Sequence, residues 1–298
     1  MPELPEVETL KRELSKALVG LEIKSVKVLW PKAVAPLSAP AFAKAMARQR
    51  KIKSVSRQAK ILIIDFLDST ALAIHLKMTG QLIYHYNTPP QNPRVILGQD
   101  ISGGHPDDQM EGKQPSKYTR LIFEFTDGSK LFLNDLRKFG WVRLVDDAQL
   151  KDLTKHIGIE PLSKLFTTET LIGIFKRYPK RTIKQILMDQ TLIAGIGNIY
   201  ADESCFLAKV LPTRKSATLK PAQIKKLRES IIAVLKLSIQ KKGTSSRNYR
   251  RSDGSPGGFV PHLYVYGRAG LPCKVCGRPI QKIKHNGRGT HFCKYCQK

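Results

Sequence analysis

Pro2 and Glu3, side by side at the front of the chain, could do chemistry together. Behind a small residue such as Pro2 the initiator Met1 is normally clipped, so the mature chain is expected to begin with a free proline amine. An α-amine titrates near pKa ~8, against ~10.4 for a lysine ammonium, and is therefore partly unprotonated at neutral pH. A secondary amine that attacks an aldehyde-like carbon gives an iminium with no N–H to lose, and that cation is an electron sink. Glu3 puts a carboxyl within reach as general acid or base. A plainer reading stands beside this one: Pro5 opens a helix whose first turn carries Glu6 and Glu8. It accounts for Pro5, Glu6 and Glu8 and leaves Pro2-Glu3 unexplained.

The second chemistry-bearing pattern is Cys273-x2-Cys276-x16-Cys293-x2-Cys296. Two CxxC knuckles place four thiolates tetrahedrally around one Zn2+, and the residues between them are expected to form a β-hairpin. Four thiolates close the coordination sphere, so the zinc is structural. His285 and His291 lie nearby, but the ligand set is complete without them. Residues 243–298 carry eleven lysines and arginines against the single acid Asp253, a density that favours phosphate contact over a purely scaffolding role. Cys205, the fifth cysteine, reads as a buried helix residue. A third pattern, Gly195-Ile196-Gly197-Asn198, allows close backbone approach and makes Asn198 a natural N-cap, whose helix N-terminus could receive a phosphate. A tight helix–turn–helix with a packing glycine explains the same string.

Composition narrows the partner. Fifty-one basic residues against 24 acidic ones leave a net charge of +27, which points to a polyanion, most often nucleic acid. No stretch is apolar and long enough to span a membrane, and acids stand where a signal peptide would be basic. A cytoplasmic protein is expected, and its clustered cysteines then read as metal ligands rather than disulfides.

The elements that must position these residues follow from periodicity. Residues 5–19 read as a helix, with Val7, Leu10, Leu14 and Leu18 at helical spacing and Gly20 behind it. Leu21 to Trp30 reads as a strand, and residues 40–49 as a short helix. From Ile52 short strands crowd together, among them Ile61–Ile64, Ala71–Leu76, a hairpin turning at Asp127-Gly128, and Trp141–Val145. These argue a β-sandwich or barrel over residues 1–146, interrupted by a proline- and glycine-rich stretch at 87–116 that is either functional or a disordered insertion. The pattern then becomes helical through residue 262, with a long helix at Pro221–Lys242 and a Gly/Ser/Arg-rich mobile loop at 243–259. The cysteine tail occupies 263–298.

Taken together, these stretches resemble one family, the bacterial formamidopyrimidine-DNA glycosylases. The resemblance rests on Pro2-Glu3-Leu4-Pro5-Glu6-Val7-Glu8-Thr9, His75-Leu76-Lys77-Met78-Thr79-Gly80 and Asp135-Leu136-Arg137-Lys138-Phe139-Gly140. It continues through Leu187-Met188-Asp189-Gln190, Gly195–Tyr200, Val265-Tyr266-Gly267-Arg268 and the four cysteines, and spans the chain except 87–116. It implies an α+β multidomain protein: an N-terminal two-sheet β-sandwich, a helix–two-turn–helix domain at 147–262, and a C-terminal zinc finger, with DNA in the cleft between.

The resemblance also implies roles. Pro2 would be the Schiff-base nucleophile on C1′ of the damaged nucleotide, and Glu3 the acid assisting base loss. Lys60 would serve β-elimination and hold a phosphate; on its own residues a solvated strand-end charge is the favoured reading. Arg288 would serve δ-elimination. Met78, Arg137 and Phe139 would fill the gap left by an extruded base, although Met78 and Phe139 also read as core residues. Lys184, Asn198 and Arg268 would contact the DNA backbone or the lesion.

The implied activity is a bifunctional glycosylase and AP lyase for 8-oxoguanine and formamidopyrimidines, acting as a monomer on damaged double-stranded DNA in the nucleoid. One alternative is the endonuclease VIII type, which takes oxidised pyrimidines; Leu4 and Arg137-Lys138-Phe139 favour the purine enzyme. Another is a non-catalytic zinc-containing DNA-binding protein, against which Pro2, Glu3 and Lys60 argue. Tyr118 stands where the family commonly has a histidine, and Ile157-Gly158-Ile159-Glu160-Pro161 departs from the usual Leu-Gly-Pro-Glu-Pro.

Overall fold

The computed structural model describes residues 1–48, 50–87, 101–104, 110, 113–244 and 258–298. The chain divides into two compact units, one formed by Met1–Lys155 with Lys242–Gly257, the other by His156–Lys241 with Gly258–Lys298.

The first unit is two antiparallel sheets and a helix. Helix α1 (Leu4–Leu18) sets Val7, Leu10, Leu14 and Leu18 on one face, and all four are buried in the core. Glu3, in extended conformation, is its N-cap, so Pro5 falls one residue inside the helix start rather than at it. Strands β1 (Ile23–Val28), β5 (Gly80–His85), β6 (Ile101–Gly104), β7 (Thr119–Phe125) and β8 (Lys130–Asp135) form a sheet in the order β1-β7-β8-β5-β6. Strands β2 (Ile52–Gln58), β3 (Ile61–Phe66), β4 (Thr70–His75) and β9 (Trp141–Asp146) form the second, in chain order. Alternation places Leu121, Phe123, Leu131 and Leu133 of one sheet, and Leu62, Ile64, Leu72 and Ile74 of the other, in a common core with α1. Helices α2 (Ala39–Met46) and α3 (Asp147–Thr154) and a 3-10 turn at Pro31–Val34 complete the unit's regular structure among the described residues. Strand β6 lies inside the stretch read as an interruption: Ile101–Gly104 pairs with β5, and Met110 is fully buried. That part is sheet, not insertion; residues 88–100 lie outside the described residues.

The second unit is helical with a β-hairpin. It holds α4 (Thr168–Arg177), α5 (Ile183–Met188), α6 (Asn198–Leu207), α7 (Pro221–Gln240), β10 (Gln281–His285) and β11 (Arg288–Phe292). Ile183, Ile186 and Leu187 of α5 pack with Ile199, Tyr200 and Cys205 of α6 and Leu227, Ile231 and Leu235 of α7. Asn198 is not the cap of α6: Gly197 takes the extended N-cap conformation and Asn198 begins the helix. Most of the loop expected at 243–259, residues 245–257, lies outside the described residues.

Candidate active site and metal centre

The front of the chain is buried in the first unit among polar groups. Pro2, Glu3, Glu6 and Lys60 are all buried. The Glu3 N–H donates to Glu6 Oε2 at 2.9 Å, and Glu6 Oε1 accepts from the Thr244 N–H at 2.9 Å. Glu6 thereby ties the chain's start to the segment that follows α7. The amine here is that of Met1. Burial lowers its pKa below the ordinary α-amine value; Glu3 and Glu6 oppose this, and Lys60 and Arg137 reinforce it. The structure thus brings the terminal amine, Glu3, Lys60 and Arg137 into one electrostatic neighbourhood. While Met1 is attached the Pro2 nitrogen is an amide, its lone pair delocalised.

A chain of ion pairs from α1 places Lys60. Glu8 Oε1 accepts from Arg12 Nε at 2.8 Å and Glu8 Oε2 from Arg57 Nε at 3.0 Å. Burial alone would raise the Glu8 carboxyl; the two guanidiniums overcome it and hold the pKa below the ordinary value. Arg57 Nη1 then donates to the carbonyl of Ala59 at 3.0 Å. Ala59 has φ 53°, a left-handed turn residue, and Lys60 follows it into β3. Glu8, read from the sequence only as a first-turn acid, is therefore part of the frame that positions Lys60.

Two further turns of the first unit carry Met78, Arg137 and Phe139. Lys77 (φ 50°) precedes Met78 and Lys138 (φ 60°) precedes Phe139. Each non-glycine residue held left-handed costs roughly 1–2 kcal/mol. Neighbouring groups hold both. The His75 Nδ1 accepts from the Lys77 N–H at 2.9 Å, so the ring carries its proton on Nε2. Burial, with Lys77 and Lys60 nearby, pushes the His75 imidazole down to about 3 and keeps it neutral. Asp135, at the end of β8, is buried and accepts on both oxygens: Oδ1 from the Thr79 hydroxyl and from the Arg137 N–H at 3.2 Å, Oδ2 from the Gly140 N–H at 2.7 Å. Phe139 is left 52% exposed, with the Arg137 guanidinium 4.7 Å from its ring centre, an uncompensated exposure for a core residue. Tyr118 is buried, and its carbonyl accepts from the Asp135 N–H at 2.9 Å.

The second unit places Lys184 in its interior, 2% exposed. Its ammonium donates to Asp202 Oδ1 at 2.6 Å, the Thr290 hydroxyl at 2.9 Å and the Gly289 carbonyl at 3.1 Å. Its three hydrogen bonds are made within the unit, and Lys184 thereby joins α5, α6 and β11. Asn198 Nδ2 donates to the same Gly289 carbonyl at 3.0 Å. Asp202 Oδ2 also accepts from the His291 N–H at 2.8 Å. Its neighbour Glu203 accepts from three successive backbone N–H groups, of Tyr264, Val265 and Tyr266, at 2.8–2.9 Å. Burial raises the Glu203 carboxyl in spite of them. This clamp fixes the segment leading to Arg268, which is half-buried and spends two donors on the carbonyls of Tyr264 and Pro272.

The four cysteine sulfurs of Cys273, Cys276, Cys293 and Cys296 lie within 4.8 Å of one another, with Cys273–Cys296 at 3.9 Å and Cys276–Cys293 at 3.5 Å. Tetrahedral Zn–S bonds of about 2.3 Å require sulfurs about 3.8 Å apart, so the set fits one zinc ion. The Arg278 N–H holds the Cys276 thiol down at about 7, toward the thiolate a metal needs. The hairpin between the knuckles turns at Asn286-Gly287, both left-handed, as two-residue hairpin loops prefer. Arg288 follows, exposed and opposite His285.

Thr79, Asp135, Asp202 and Glu203 were not singled out from the sequence. Their signal was there: acids inside apolar elements are rarely tolerated without partners.

Comparison with known proteins agrees with this geometry. Residues 1–142 match the family model of the formamidopyrimidine-DNA glycosylase N-terminal domain, 157–250 its H2TH domain, and 270–298 the zinc finger found in FPG and IleRS. A formamidopyrimidine-DNA glycosylase of Pelotomaculum thermopropionicum is 39% identical, covering 100% of this chain and 99% of its own. The Lactococcus lactis Fpg in complex with abasic-site DNA matches at a TM-score of 0.83 and 35% identity, covering 99% of both chains. A mutant of that protein with Fapy-dG-containing DNA matches at 0.84 and 35%, covering all of both.

Proposed function

This chain belongs to the formamidopyrimidine-DNA glycosylase family, and from that premise we propose how its own residues carry the activity. It is a base-excision-repair DNA glycosylase acting on oxidised purines, with the family's AP-lyase activity. The observation that supports the assignment of residues is the burial together of Pro2, Glu3 and Lys60 at the front of the chain, where burial first, and Glu3, Glu6, Lys60 and Arg137 after it, act on the terminal amine.

Removal of Met1 gives Pro2 the free secondary amine. Its lone pair attacks C1′ of the damaged nucleotide, and the bond from C1′ to the base breaks with its electron pair leaving on the base. Glu3, protonated, assists this by donating to the departing or ring-opening atom. The attached nitrogen gives up its proton, and its lone pair then breaks the C1′–O4′ bond, whose electron pair goes to O4′ as that oxygen takes up a proton. The resulting iminium acidifies the C2′ proton; its loss expels the 3′ phosphate, and loss of the C4′ proton in a second elimination expels the 5′ phosphate. Lys60 is assigned to the first elimination and to a phosphate, Arg288 to the second. Met78, Arg137 and Phe139 are assigned to the gap left by the extruded base; the exposed Phe139 with its stacked guanidinium supports this. Asn198 and Arg268 are assigned to the DNA backbone. Lys184 is assigned instead to holding the hairpin.

The three matched segments support a division into 1–146, 147–262 and 263–298. We place the protein in the cytoplasm as a monomer on damaged duplex DNA. Its charge of +27 supports the polyanion partner, and no described helix is long and apolar enough to cross a membrane.

The test is reductive trapping. Mature protein mixed with 8-oxoguanine duplex and borohydride should form a stable covalent adduct that peptide mapping places on Pro2. An adduct on Lys60 would overturn the assignment.

A further inference from the structure

We infer that Thr79 and Asp135 are positioning residues that lock the Met78 turn and the Arg137–Phe139 turn into a single body, so that the two enter the DNA stack together. The inference rests on the assignment of Met78, Arg137 and Phe139 to the extruded-base gap.

The two turns come from different places in the chain: the first joins β4 to β5, the second joins β8 to β9. Strand pairing brings their bases together, since Gly80 is the register partner of Asp135. Beyond that point the ladder ends, and the turns are held by a polar cluster. The Thr79 hydroxyl donates to Asp135 Oδ1 and accepts from the Arg137 N–H at 3.0 Å. The same N–H reaches Asp135 Oδ1 at 3.2 Å. One hydroxyl of the Met78 turn thus sits between the carboxylate and the backbone of the Arg137 turn. Asp135 Oδ2 takes the Gly140 N–H at 2.7 Å, closing the far side of the Arg137–Phe139 loop. A Cβ at position 140 would stand 3.1 Å from that oxygen, so glycine gives the carboxylate its approach.

Chemistry explains why a carboxylate is used. Three N–H or O–H donors converge on two oxygens, and only an ionised carboxyl accepts on both without presenting a hydrogen. An amide would turn its NH2 toward a donor on one side. The cluster is buried: Asp135 is 1% and Thr79 8% exposed, so water does not readily replace a lost partner. Both turns also carry a left-handed lysine beside the inserting residue, Lys77 beside Met78 and Lys138 beside Phe139. Such backbone persists only where the surroundings over-determine it. Neither Thr79 nor Asp135 is required to touch DNA in this role.

The experiment compares Thr79→Val, which keeps the shape and removes the hydroxyl, Thr79→Ser, which restores it, and Asp135→Asn. Each is assayed under single-turnover conditions for excision of paired 8-oxoguanine and for lyase activity on an abasic duplex. A 2-aminopurine beside the lesion reports unstacking directly. Thr79→Val and Asp135→Asn should slow unstacking and excision by about tenfold, the scale of one hydrogen bond to a charged group, and leave lyase activity within about twofold. Thr79→Ser should recover most of the loss. Adding Thr79→Val to Phe139→Ala should cost nothing further, because the hydroxyl acts through the inserting residue. Equal losses on both substrates for Thr79→Val, or full additivity with Phe139→Ala, would overturn the positioning role while leaving the gap-filling assignment intact. If Phe139→Ala itself loses equally on both substrates, that assignment fails first, and this inference with it.

Discussion

Lys184 Nζ lies 2.6 Å from Asp202 Oδ1, and both side chains are sealed from solvent. Removing one partner of a buried pair leaves an uncompensated charge, which costs about 3–5 kcal/mol. Lys184→Met should therefore lower the unfolding free energy of the second unit by an amount of that order, read as a lower urea midpoint at unchanged slope. It should leave the salt dependence of DNA binding unchanged, because the ammonium has no hydrogen to give a phosphate. Arg268→Ala should do the reverse: little change in unfolding, and a log–log salt slope flattened by about one. A flattened slope for Lys184→Met would return that residue to the list of phosphate ligands.

The zinc site should carry one equivalent of metal, and its removal should cost DNA binding. Metal-ligand bonds supply the folding energy that a short hairpin lacks. Cys293 is fully buried, and Cys293→Ser should lose zinc and release β10 and β11, which carry Arg288. Zinc content by absorption spectroscopy and binding to abasic duplex should fall together. Metal-stripped protein that nicks DNA at the normal rate would remove the hairpin from the mechanism.

What was legible in the sequence depended on whether a signal was local. The cysteine spacing, the hairpin between the two CxxC knuckles and the buried face of α1 are each set within a short stretch, and the structure has them as read. The two sheets follow from period-two alternation in β7 and the buried run of β3. The N-cap of α6 was misplaced by one residue: Gly197 takes the extended cap conformation, and Asn198 begins the helix with its Nδ2 donating to the Gly289 carbonyl, 91 residues away in sequence. Partners of Lys184 were equally out of local reach: Asp202 and Thr290 lie 18 and 106 residues away in sequence. Strand β6 was missed because Ser102, Gly103 and Gly104 have low strand propensity, and pairing with β5 overrides it.

His75 should make the first unit sensitive to mild acid. Its pKa is about 3 in the fold against an ordinary value of 6.5. A base whose folded pKa is lowered contributes stability that is complete above the unfolded value. That stability is lost as pH falls from there toward the folded value, because the unfolded chain takes up a proton that the native state refuses. The slope is at most about 1.4 kcal/mol per pH unit. His75→Asn cannot titrate, and its side-chain oxygen is able to accept from the Lys77 N–H. The difference in unfolding free energy between the native protein and His75→Asn should shift against the native protein between about pH 6 and about pH 4. A pH-independent difference would mean that His75 protonates without loss in the folded state.

The last prediction concerns the amine. Burial, the largest influence at the chain's front, lowers the terminal amine below its ordinary value, with Lys60 and Arg137 adding to the effect against Glu3 and Glu6. If Pro2 inherits this environment when Met1 is removed, its nitrogen is deprotonated at a lower pH than a free proline amine. Lyase activity on abasic DNA should then rise with pH through a midpoint below the ordinary α-amine value, since only the unprotonated amine attacks. Lys60→Met removes a positive charge and should move that midpoint upward. Glu3→Gln removes a group that favours the protonated amine and should move it downward. Glu3→Gln should also abolish base excision, because an amide does not donate a proton as a carboxylic acid does, while part of the lyase activity on abasic DNA survives. A chain in which Met1 is retained, verified by mass spectrometry, should be inactive on both substrates, its Pro2 nitrogen being an amide. Full activity in that chain would falsify the Pro2 mechanism, and a midpoint that ignores both Lys60→Met and Glu3→Gln would show that the reacting amine lies elsewhere.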